Sequence, residues 1–122
     1  MLKTASIIFG IGFLLGGVLG FVPGVTTNQM FLGILHVNAA HNALHLLSGA
    51  AALVAGLMST VAARIYFRVF GVVYGLFAIL GIYVGDGLLL GLIANNMAGV
   101  GLHAVIALSS LALGFVVKNI TP

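Results

Sequence analysis

Apolar residues fill this chain in four long blocks, roughly 4–23, 39–59, 67–85 and 97–117, and glycine, asparagine and the few charges collect between them. Each block approaches the 20 or so residues that a helix needs to cross the hydrocarbon core of a bilayer. Stretches such as 50–58 are apolar on every side. A barrel strand alternates instead, so membrane-spanning barrel strands are not expected. The pattern predicts an all-α integral membrane protein, a four-transmembrane-helix bundle forming one transmembrane domain over residues 1–122.

The outer connections carry their own signals. Thr26-Thr27-Asn28 reads as the cap of a short amphipathic helix from Gln29 to His36, with Phe31, Leu32 and Leu35 turned to lipid. Asn38 then caps the second span. In the other outer connection, Gly85-Asp86-Gly87 is a turn signal and Asn95-Asn96 caps the fourth span, leaving 88–94 as a second interfacial segment. Both connections are expected to rest on the membrane surface.

Composition fixes the solvent. Hydrophobic residues make up 62% of the chain and charged residues 4%, whereas soluble domains carry roughly a quarter charged residues. Lipid is therefore the medium, and the bilayer the first partner. The four cations, Lys3, Arg64, Arg68 and Lys118, are scattered rather than clustered, which leaves no phosphate-binding face and excludes nucleic acid as a partner. The absence of cysteine removes disulfides, iron–sulfur clusters, thiolate zinc and cysteine nucleophiles. Lys3 before an apolar run is also how a signal peptide begins, but no small-x-small cleavage site follows, so the run is read as the first span. Lys3 precedes it, Arg64 and Arg68 flank the turn between spans two and three, and Lys118 follows span four. Cytoplasmic segments collect Lys and Arg. A multi-pass protein of the cell inner membrane, with both termini cytoplasmic, puts all four on one side.

Against this background the histidines stand out. His41 and His45 lie four residues apart and share one helix face with Asn38 and Ser48, while Asn96, His103 and Ser110 recur every seven residues on another. His45 and His103 each fall seven residues below a capping asparagine, so both should sit about 10 Å into the membrane on facing helices. His36 belongs at the interface. The triad leaves several readings open. It can serve helix packing alone, although such hydrogen bonds contribute only about 0.6 kcal/mol on average in membrane helices. His41, His45 and His103 can hold a transition metal ion, zinc or copper, as three imidazoles do in open metal sites. His45 and His103 can ligate a tetrapyrrole, haem from both sides or chlorophyll through one ring. With Asp86, the histidines can also relay protons.

No nucleophile elbow, phosphate loop or dinucleotide fingerprint is present, and Tyr66, Tyr74 and Tyr83 suit helix contacts and interfaces, so nothing points to turnover. Gly12, Gly16 and Gly20 in the first span, and Gly71 and Gly75 in the third, have the small-xxx-small spacing of close helix packing. The first of these strips could also dock a second copy or a larger membrane complex. An accessory subunit of a respiratory or photosynthetic complex, its histidines serving only packing, is thus the competing class of function.

The run Val37-Asn38-Ala39-Ala40-His41-Asn42-Ala43-Leu44-His45-Leu46-Leu47-Ser48-Gly49 resembles the V-N-x-x-H-N-x-x-H-L-x-x-G signature of DUF4383, an uncharacterised bacterial family of small four-helix membrane proteins. Ala63-Arg64-x-Tyr66, Phe70-Gly71-Val72-Val73-Tyr74 and Leu102-His103 extend the similarity over residues 30 to 115. The resemblance implies the four-helix fold and singles out His41, His45 and His103, and it names no activity. The family's Asp-Asn pair close before the last histidine is replaced here by Asn95-Asn96 further upstream.

Overall fold

The structure, a computed structural model, describes residues 1–118. Four helices carry the fold: α1 (Leu2–Leu19), α2 (Ala39–Met58), α3 (Thr60–Val84) and α4 (Met97–Leu111), the last continuing into a π-helical turn, Ala112–Val116. All four are long and apolar enough to cross a membrane. Their outer surface is apolar, with Leu47, Val54, Leu57, Val105 and Leu108 exposed, whereas Ser6, His41, Ser48, His103 and Ser110 are buried. Lipid outside and hydrogen-bonding groups inside is the distribution a bilayer imposes.

The junction of α2 and α3 differs from the sequence expectation. Arg64 and Arg68 do not flank a turn but lie within α3, which starts at Thr60. Ser59 alone joins α2 to α3: its backbone is extended, and its hydroxyl accepts from the Ala62 amide at 3.0 Å. The two arginines reach α4, where Gly114 O accepts from Arg64 Nη1 at 3.0 Å and from Arg68 Nε at 2.7 Å. The π turn leaves carbonyls outside the regular helical ladder, and these cations satisfy one of them.

The two longer connections, between α1 and α2 and between α3 and α4, also depart from expectation. No amphipathic helix spans Gln29 to His36. Three two-residue strands, β1 (Thr26–Thr27), β2 (Met30–Phe31) and β3 (Leu35–His36), form a small antiparallel sheet, and β4 (Leu88–Leu89) pairs with β5 (Ile93–Ala94) in the second connection. Gly33 and Gly91 explain the outcome. Each sits at positive φ, 71° and 72°, behind a leucine that is also at positive φ, Leu32 at 52° and Leu90 at 53°. Two successive left-handed residues make the tight turn that matches strand twist, and they stop a helix. Phe31 and Leu35, expected in lipid, are half-buried, while Leu32 is exposed.

The two hairpins belong to an internal repeat. Each half of the chain is a helix, a Leu-Gly hairpin, a capping asparagine and a second helix. Asn38 and Asn96 correspond, as do His45 and His103, Leu53 and Leu111, and Gly56 and Gly114. Helix contacts repeat with them. Gly10 of α1 packs on the backbone of Leu53, and Gly71 of α3 packs on Leu111. Gly20 meets Asn42, and Gly81 meets Val100. Phe13 and Tyr74, their counterparts further along, stack on each other at 5.4 Å between ring centroids. Both halves run in the same direction through the membrane, the parallel kind of repeat.

One pair of seams is unequal. α2 packs closely against α3, whereas the counterparts α4 and α1 approach each other less closely.

Candidate metal centre

The polar faces of α2 and α4 meet through their side chains. Asn38 begins α2 in an extended conformation and its Oδ1 accepts from the His41 amide at 2.9 Å; Asn96 does the same for Gly99 at 3.0 Å. Each cap also braces the other half. Asn38 Nδ2 donates to Leu92 O, and Asn96 Nδ2 donates to Ile34 O, both at 2.9 Å. This exchange fixes the starting levels of α2 and α4 relative to each other, and the histidine seven residues below each cap arrives at the same depth.

His41, His45 and His103 come together with one ligand nitrogen from each within 4.8 Å of the others. Their ring centroids lie 4.4 Å (His41–His45), 5.5 Å (His41–His103) and 6.0 Å (His45–His103) apart. All three are buried. Hydrogen bonds assign the protons on two of them. His41 Nδ1 lies 3.2 Å from the main-chain oxygen of His36, which only accepts, so Nδ1 carries the proton and Nε2 offers a lone pair. His45 Nε2, 3.1 Å from that nitrogen, is then the donor between the two rings. His103 is different: neither Nδ1 nor Nε2 has a partner, and both atoms are buried.

The geometry is near that of a metal site. Three imidazole nitrogens at about 2.0–2.1 Å from one tetrahedral ion lie about 3.4 Å from each other. The His41–His45 pair is already closer than that, at 3.1 Å. Closing the widest separation, up to 4.8 Å, to that value takes a shift of about 1.4 Å and completes the set. His41 also has the outer support that metal-bound imidazoles usually have, a ring N–H held by a carbonyl.

The chain matches the family model described as "Domain of unknown function (DUF4383)" over residues 3–116. It belongs to the DUF4383 family. No curated protein and no solved structure matches this DUF4383 member significantly. That description names no activity and leaves the function to the site itself.

Sequence reasoning missed two contributors. His36, expected to be incidental at the interface, supplies the carbonyl that orients His41, and its own Nδ1 donates to Asn95 O of the second connection at 3.3 Å. Tyr74 packs on His103 at 5.3 Å between centroids, and its hydroxyl bonds Ser48 Oγ at 2.8 Å. Only the internal repeat could have flagged Tyr74, by matching it to Phe13, which packs on His45 at 5.4 Å. Asp86 is exposed in the second connection, apart from the buried triad.

The glycines sort differently from their spacing. Gly20 and Gly71 make close helix contacts, and Gly75 makes an ordinary one with Ala107. Gly12 and Gly16 face open space; the α1–α2 contact is made instead by Gly10, Gly17 and Gly49, where an added Cβ would lie within 2.9 Å of the neighbouring helix.

Proposed function

We propose that this protein binds one transition metal ion, zinc or copper, in the outer half of the bilayer through His41, His45 and His103. The observation that carries the reading is the pair of partnerless ring nitrogens on buried His103. Helix packing accounts for His41 and His45, which bond each other and the His36 carbonyl. It leaves His103 unexplained. Each unsatisfied buried polar atom costs about 1–3 kcal/mol, and a metal ion would turn one of the two nitrogens into a bonded ligand. Three neutral imidazoles without thiolate or carboxylate suit zinc or copper, and a ligand set without charge enters lipid at the lowest cost. Three ligands leave a fourth position open to water or another ligand.

A tetrapyrrole fits less well. Haem ligated by His45 and His103 needs an empty slab between them, and the His41 ring stands against both. A chlorophyll on His45 alone would have to enter a void of about 360 Å³, near the lower end of ligand pockets. In the same reading the end of the bundle carrying Lys3, Arg64 and Arg68 faces the cytoplasm of the inner membrane, which puts the metal near the outer surface.

Cobalt(II) titration of the purified protein tests the site. A saturable absorption band of tetrahedral cobalt at one equivalent, absent in His103→Ala, is the expected result. Titration with no such band in wild type would contradict the proposal.

A further inference from the structure

Beside the triad lies a void of about 360 Å³, lined by Phe9, Gly12, Phe13 and Gly16 of α1, Phe31 and Leu35 of the first hairpin, Asn42 and His45 of α2, and Leu102 and Ile106 of α4. It occupies the seam between α1 and α4, the one that stands open, so its mouth faces lipid. The internal repeat says what the corresponding seam between α3 and α2 contains. There Phe77 stands where α1 has Gly16, Val73 where it has Gly12, and Val100 where α2 has Asn42. Phe77 lies 6.2 Å, centroid to centroid, from His103, the counterpart of His45. One half is filled by an aromatic ring. The other has the room for that ring and no side chain to occupy it, since nothing lies within 4 Å of a Cβ built on Gly12 or Gly16.

The open half has also gained polarity. Asn42 is 3% exposed and lines the void, and among the described residues its side-chain amide makes no hydrogen bond. His45 is the triad ring that reaches the same void. An amide at the wall of an otherwise apolar void offers its hydrogen bonds to whatever occupies that void. No cation lines the void, which disfavours phosphate and carboxylate head groups. We infer that this seam binds a flat, uncharged, membrane-soluble ring bearing carbonyl or hydroxyl oxygen, of the quinone or quinol class. The ring lies between Phe9 and Phe13 on one side and Leu102 and Ile106 on the other, and its oxygen meets Asn42. The inference stands on the repeat and the void and does not require the metal.

Equilibrium binding to the full chain in lipid nanodiscs tests it, with decyl-substituted benzoquinone as the probe and decylbenzene as the oxygen-free control. Wild type is expected to bind the quinone saturably and at least about tenfold more tightly than decylbenzene. Gly16→Phe rebuilds the plug of the other half and should abolish binding while leaving thermal stability equal or higher, because the added ring enters empty space. Gly12→Val should weaken binding in the same direction. Asn42→Val should erase the preference for oxygen. Equal affinity for decylbenzene in wild type, or unchanged quinone binding in both a folded Gly16→Phe and a folded Gly12→Val protein, would overturn the inference.

Discussion

Leucine in place of His103 removes two ring nitrogens that have no partner in the buried triad. In metal-free protein His103→Leu is therefore expected to raise stability by about 1–3 kcal/mol, read from reversible unfolding in mixed micelles; a loss of stability would mean that the ring is satisfied. The same logic separates the glycines. A Cβ on Gly10 would lie 2.8 Å from the Leu53 amide nitrogen, whereas one on Gly12 meets nothing within 4 Å. Gly10→Ala should destabilise by about 1–3 kcal/mol through forced separation of α1 and α2, and Gly12→Ala should be nearly neutral by the same assay. Sequence spacing identified His41, His45 and His103 because equal distances from two capping asparagines are visible in one dimension. Which glycines touch a neighbour is not visible there. Gly12, Gly16 and Gly20 have the right interval, but the rotation of α1 leaves Gly12 and Gly16 facing open space and presents Gly10, Gly17 and Gly20 to α2.

At the scale of elements, the hairpins hold the site by holding its caps. The His36 carbonyl and the Asn38 side chain, which orient His41, emerge directly from the β2–β3 turn. Gly33→Val, at φ 71°, should cost about 1–2 kcal/mol for a β-branched residue in left-handed backbone, and should lower metal affinity together with stability. Isothermal titration of the variant checks this; unchanged affinity would show that the hairpin does not position His41. The helices themselves were legible from length and apolarity. The hairpins were not, because Phe31, Leu32 and Leu35 fit one face of a helix as well as they fit a turn, and Leu-Gly is a weaker turn signal than Asn-Gly. The early start of α3 was hidden for a related reason. Arg64 falls before the apolar block that begins near residue 67, and only its place within α3 and its bond to Gly114 O show that the helix starts earlier.

For the whole molecule, the parallel repeat explains why two hairpins, two caps and two histidines recur, and His41, matched by Gly99 in the second half, is what turns a symmetric pair into a triad. The orientation is open to a direct check. Leu90, 70% exposed at the tip of the second hairpin, should accept a membrane-impermeant thiol reagent from outside intact cells as Leu90→Cys, and labelling only after the cytoplasm is opened would reverse the assignment. The central claim, a metal ion held by three buried imidazoles, is tested most directly by elemental analysis of protein purified from cells without added metal or chelator. One zinc or copper per chain in wild type, lost in folded His103→Leu, is the expected result. A metal-free wild type that also fails to take up either ion after dialysis against it would contradict the account.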